Sequence, residues 1–456
     1  MRATAALALC LLTACLPVPD AAVSMNQGNG AVGPVAAMPA AMQGFGLHRA
    51  ALPGRGNGGI AQDFMDLSFA MESGRVMRAF SRFEGPVRVR LTGNVPRSAA
   101  TDFDRLLARL RTEAGIDIRE VTGATAEVTI EFLPRAKIQA TYANVACFVA
   151  PRVTGWDDFR ARRNTPATDW TTLTARDRVS IFVPSDGSAQ EARDCLHEEL
   201  AQALGPINDL YRLSDSVFND DNFNNTLTGF DMLILRATYA PDLRAGMSRA
   251  EVADRLPAIL ARLNPQGEGI GSAGAGQTPR AWINAIEVAL AGRGTIAQRE
   301  ASAVQAVSMA RNAGWQDGRL ALSLFSLGRL TLSRNPDVAL PSFAEAAQIY
   351  RALPGGAVQA AHVDMQLAAH ALSTGQHARA LQLAEGAIPT VSAAENAALM
   401  ATLLMMKAEA LDGLGQVGAA DAARLDSRGW GRYGFGSDEQ VRARMAEIAI
   451  LARRGG

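Results

Sequence analysis

The chain reads as an α+β domain followed by an all-α, helical-repeat solenoid, and three observations lead there. Between Asp63 and Leu263, short alternating runs such as Val87 to Thr92 and Ala126 to Phe132 sit among amphipathic helical stretches. From Pro279 onward the composition turns Ala- and Leu-rich. Helix–turn–helix units recur at Leu327 to Ala347, Leu367 to Ala387 and Lys407 to Ser427, a period of about forty residues. Between the two regions lies NPQGEGIGSAGAGQT, a Gly-rich joint. The expected division is therefore 1–15 leader, 16–60 flexible tether, 61–263 α+β domain, 264–278 linker and 279–456 repeats.

The leader carries one charge, Arg2, then the apolar run Ala5 to Leu12, then Leu12-Thr13-Ala14-Cys15, which resembles a bacterial lipobox. An apolar run this short does not span a bilayer as a helix. On this reading Cys15 is the lipidated first residue of a periplasmic protein anchored to an envelope membrane, the outer one. A plain secretory signal cut a few residues later is the other reading, and both export the chain. Removing Cys10 and giving Cys15 to lipid leaves Cys147 and Cys195, an even pair in a compartment where disulfides persist. Their bond would close a loop of roughly fifty residues and contribute about 3–4 kcal/mol in a chain-entropy treatment.

Leu16 to Ile60 is rich in Gly, Pro, Ala, Asn and Gln without apolar periodicity, hence the tether. Phe64, Leu67 and Met71 suit a short helix. Pro86 to Thr92 is a half-buried strand, Ser98 to Ala114 a helix closed by Gly115, and Ala126 to Phe132 a second strand stopped by Pro134. Cys147 to Val149 and Val179 to Val183 are two more strands. The irregular insertion between them, with Trp156, Asp157, Asp158 and Trp170, is expected over a cleft. A helix follows, opened by the capping box Ser188-x-x-Glu191, with Ala192, Leu196, Leu200 and Leu204 facing the core. Helices from Gly229 to Tyr239 and from Ser248 to Leu263 close the domain.

The sequence DCLHEELAQALGPIND, from Asp194, resembles the metal-binding helix of the metzincin peptidases, H-E-x-x-H-x-x-G-x-x-H. Aligning Gly205 with the motif glycine puts Glu198, Gln202 and Asn208 at the ligand positions and Glu199 at the general base. The register beginning at His197 fails, since Ala201 offers no lone pair. Ser216-Val217-Phe218 resembles the turn beneath the metal, with Phe218 at its Met position. The resemblance implies a degenerate zincin fold, a twisted sheet over the motif helix with a cleft along the sheet edge. Overall, the chain is similar to an uncharacterised proteobacterial family of secreted lipoproteins.

Five histidines are present, and His197 alone falls in this domain, so zinc sites with three His, or with two His and a Glu, are excluded. No cofactor is expected. Oxygen donors from Glu198, Gln202, Asn208 and Asp209 make a hard divalent cation such as Ca²⁺ or Mg²⁺ the alternative. Adjacent Glu198 and Glu199 in a dry cleft would make one of them hold its proton.

The Gly267-x-Gly269 pair follows no strand, so nucleotide binding has no support. The later segments resemble tetratricopeptide repeats, which implies four helix pairs, a capping helix from Ser437 to Leu451 and a concave face for peptides or proteins. His370 and His377 are expected as solvated turn residues, and Trp430 to Gly436 as a packed cap. The 45 basic and 45 acidic residues give no drive towards nucleic acid. The expected function is binding of a peptide or envelope protein through cleft and repeats. The alternative is a divergent metal-dependent peptidase with Glu199 as base. Metabolic labelling with a fatty-acid analogue tests the leader: label should enter the mature chain and be lost in Cys15→Ser.

Overall fold

The structure is a computed structural model that describes residues 42–46, 50–123, 125–143, 145–271, 276–291 and 293–454; Cys15 and the leader lie outside them. The first helix, α1 (Asn57–Phe69), starts inside the expected tether. Arg55 fixes that start, pairing with Asp63 at 2.9 Å and Asp215 at 3.1 Å and lying over the Phe230 ring. Residues 50–60 are thus bound by charge and stacking, and the tether reading gives way there.

Next come β1 (Val87–Gly93), α2 (Arg97–Glu113), β2 (Ile118–Glu120), β3 (Val128–Leu133), α3 (Arg135–Gln139), β4 (Phe148–Pro151), α4 (Trp156–Arg162), β5 (Val179–Pro184) and α5 (Ala189–Leu204). The strands form one mixed sheet, ordered β2-β1-β3-β5-β4. β1, β2, β3 and β5 are parallel, while β4 lies antiparallel to β5 at one edge. α2 and α5 cover one face, where Phe103, Leu106, Leu196 and Leu200 meet Val128, Ile130, Ile181 and Val183. Each such leucine, fully buried, contributes about 1.5–3 kcal/mol.

The opposite face is covered too. Trp156 and Phe159 of the insertion, with Ile138 of α3, pack on Phe182 and Leu133. The insertion therefore covers the back of the sheet instead of a cleft, and β3, expected to alternate in exposure, is buried on both faces except at Glu131.

Cys147 is bonded to Cys195, so edge strand β4 is stapled to α5. Ser188 Oγ accepts from Glu191 N at 3.1 Å. The reciprocal half of that capping box is missing because the Glu191 carboxylate binds Arg135 at 2.5 Å instead. At the other end, buried Arg176 donates to the carbonyls of Gln202, Ala203 and Gly205, occupying the acceptors a helix leaves bare.

α6 (Gly229–Thr238) and α7 (Arg249–Leu263) carry complete capping boxes, Thr228 with Asp231 and Ser248 with Glu251. A Cβ at Gly229 would lie 1.5 Å from the Ala51 carbonyl oxygen, so no side chain fits where these segments cross. The linker is not a free joint at its start. Asn264 is fully buried; its Nδ2 donates to Asn57 Oδ1, and Asn57 Nδ2 donates to its main-chain carbonyl.

The rest is helical: α8 (Arg280–Leu290), α9 (Ile296–Asn312), α10 (Gly318–Thr331), α11 (Pro336–Ala352), α12 (Ala357–Ser373), α13 (His377–Ala393), α14 (Ala397–Gly413), α15 (Val417–Gly434) and α16 (Asp438–Arg454). Gly375 and Gly415, at φ near +72° and +74°, make the turns after α12 and α14. His370 and His377 are half-buried helix residues on either side of the first turn, not solvated turn residues. Trp430 to Gly434 is the last turn and a half of α15; a Cβ at Gly434 would sit 2.5 Å from Ala398 N, so glycine permits this close approach to α14.

α10, α12 and α14 form an inner layer, buried nearly all round because its second side is the α/β domain itself. Phe223 inserts among Phe325, Tyr350 and His362, and Tyr211 meets Trp282 edge-on at 5.3 Å. Asn396, the α14 cap, bonds Gln190 of α5 and Asn225, and Tyr433 donates to Asp102 at 2.6 Å. The inner surface of the helical region is thus occupied by the chain itself.

Burial, and then Arg329, lowers the His362 pKa to about 3. Folding a neutral histidine stabilises the chain above the ordinary value of 6.5, and that contribution is lost as pH falls from there towards about 3. Urea unfolding of wild type and His362→Met should diverge as pH falls through this window, the wild type losing stability relative to the variant.

Candidate functional site

The expected site residues gather around the C-terminal half of α5 and the loop that leaves it. Burial of an acidic helix face decides their chemistry. Glu199 is 5% exposed, Gln202 7%, Asn208 5% and Asp209 9%, while Glu198 is half-buried. Burial pushes the Glu198 carboxyl up to about 8, with Asp220, Glu72 and Asp194 adding repulsion. Glu199 is raised well above the carboxylate range, first by burial and then by Glu198 and Glu72. Asp209 is raised in the same way, by burial and then by Asp220, Glu198 and Glu72. Asp220 is pushed up to about 7, with Arg280 only partly offsetting burial and Glu72.

Two acids that the motif did not indicate therefore belong to the site. Glu72 sits in the exposed turn after α1, closed by Gly74 N donating to Met71 O at 2.8 Å. Asp220 follows the Phe218 segment. Ligand oxygens of Glu72, Asp209 and Asp220 all lie within 4.8 Å of one another. The acid- and amide-rich run Asn219 to Asn225 was a local signal for Asp220; nothing near Glu72 pointed to it.

The loop is held by side chains. Asp231, fully buried, accepts from Ser216 Oγ at 2.5 Å, Val217 N at 3.1 Å and Thr228 N at 2.8 Å. Leu210 N donates to Phe218 O at 2.9 Å, which turns the chain back, and Phe218 is fully buried. Gln202 Nε2 donates to Asp209 Oδ2 at 3.0 Å, and Asn208 Nδ2 to the Asp66 carbonyl at 3.0 Å. Asp209 Oδ1 and Glu199 Oε2 are buried without a hydrogen-bond partner.

The motif positions do not fit zinc. Glu198, Gln202 and Asn208 bring no imidazole or thiolate, and both amides are engaged elsewhere. His197 accepts from Leu227 N through Nδ1 at 3.0 Å, and burial holds its pKa well below the usual range, so it is a neutral structural histidine.

A family model described as "Protein of unknown function (DUF2927)" matches residues 57–258. The chain carries a DUF2927 domain followed by a helical region. The domain contains all five acids of the pocket, whereas the helices that cover its loop lie outside it. No curated protein and no solved structure matches the chain. No helix among the described residues is long and apolar enough to cross a membrane.

Burial of these carboxyls, with repulsion second, gives a stability prediction. In chelator at pH 8, Glu198→Gln or Glu199→Gln should raise the melting midpoint by about 1 °C, the shift expected for roughly 1 kcal/mol in a chain of this size. Calorimetry checks it.

Proposed function

We propose that this is an exported envelope lipoprotein, anchored through Cys15, whose DUF2927 domain is a zincin-like fold that binds an extended segment of a peptide or envelope protein without cleaving it. The observation that carries this reading is the state of the motif positions, where Gln202 holds Asp209 and Asn208 holds the Asp66 carbonyl. Residues locked as a scaffold suit a domain that keeps a cleft and has given up the metal. The mixed sheet over α5 supports it, with β4 at the edge next to the motif helix. An added strand could bond to the main chain of β4. The Cys147–Cys195 bond suits an oxidising compartment. In this reading the tetratricopeptide-like helices brace the domain with their inner layer and leave the outer helices for a partner.

Peptide hydrolysis with Glu199 as base is the second reading, and the buried, unpartnered Glu199 Oε2 favours it. A photoreactive benzoylphenylalanine placed at Phe148 of β4 in cells should give a discrete crosslinked protein. The same probe at exposed Val304 of α9 should not. No β4-specific crosslink, or turnover of peptides by the purified chain that Glu199→Gln abolishes, would replace binding with hydrolysis or with another surface.

A further inference from the structure

We infer that Glu72, Asp209 and Asp220 form a site for a hard divalent cation, Ca²⁺, which ties the turn after α1 to the loop docked on the helical array. Two oxygens bound to one Ca²⁺ at about 2.4 Å lie at most about 4.8 Å apart. The three carboxylates meet that limit and come from two separate segments of the chain. All donors are oxygens, which selects a hard ion over zinc or copper.

A second, independent observation points into the same place. Asp209 is 9% exposed; Gln202 bonds its Oδ2 and orients the group, and its Oδ1 is buried with no partner. Buried polar atoms are rarely left so. Glu199 Oε2, equally unpartnered, belongs to the same electrostatic group. Glu198, Glu199 and Asp209 are each raised first by burial and then by neighbouring carboxylates, so the pocket gathers acidic oxygens that a dication would hold ionised.

The consequence is mechanical. Glu72 is exposed on its turn, whereas Asp209 and Asp220 lie on the segment whose Tyr211 and Phe223 pack into the repeats. An ion held by all three would tie the turn to the loop close to α8, whose Glu287 and Arg280 act on Asp220. The site differs from the zincin ligand positions and does not depend on the peptide-binding reading.

The test uses the full mature chain, stripped with chelator and titrated calorimetrically with CaCl₂, and separately with MgCl₂ and ZnCl₂. One saturable Ca²⁺ per chain is expected, with a melting midpoint that rises with Ca²⁺ concentration. Glu72→Gln lies in an exposed turn and leaves the core intact; it should weaken Ca²⁺ binding by about tenfold or more, the scale on which removing a charged ligand acts. Asp209→Asn/Asp220→Asn, shown folded by circular dichroism, should abolish it. Absence of saturable Ca²⁺ binding, weak binding of several ions per chain, Zn²⁺ preferred over Ca²⁺, or affinity unchanged in Glu72→Gln would each overturn the inference. A peptide crosslink at β4 with no Ca²⁺ bound would sink this site and leave the binding function standing.

Discussion

The segment between Leu204 and Gly229 forms no helix or strand, yet most of it is buried, and the molecule depends on how its backbone is satisfied. Buried peptide groups without a ladder must find partners one at a time. Asp231 takes two amides and a hydroxyl, Asn219 takes the Leu213 carbonyl, and Gln359 of the helical array takes the Ser214 carbonyl at 2.7 Å. The last bond crosses from one half of the chain to the other. The loop is therefore a shared core element, and the helical region completes the α/β domain.

This arrangement explains both the apolar excess of the inner helices and the character of the pocket. A helix apolar all round is a buried helix, and Leu399 to Met406 of α14 is close to such a run, packed among α12, α13, α15 and α16, while Gln190 of α5 meets its N-terminus. Covering the loop also removes water from the acids beneath it. Desolvation is the leading cause of every raised carboxyl in the pocket, and repulsion comes second. The acidity of the site is a by-product of the same packing that fixes the loop.

Much of the framework was legible locally. The strand at Val128, the helix closed by Gly115 and the box at Ser248 each follow from period or cap chemistry within a few residues. Failures occurred where a distant partner took over. Glu191 left its capping role for Arg135, Trp156 went to the back of the sheet around Phe182, and the tether's end was captured by Arg55 reaching Asp215. In the site, Glu198, Glu199 and Gln202 were readable because one helix turn sets their spacing. Glu72 was not, since a single acid in a turn has no pattern until folding places it beside Asp209.

The sequence by itself determined the two-part division, the Cys147–Cys195 pairing and the want of imidazole at the motif positions Glu198, Gln202 and Asn208, because composition, cysteine count and residue chemistry do not depend on where the chain travels. Tertiary structure alone decided that Gln202 serves Asp209, that Phe223 fills the inner face of the helical region, and that three carboxylates from two separate segments meet within 4.8 Å. Those outcomes depend on long-range packing and desolvation, which no window of neighbouring residues encodes.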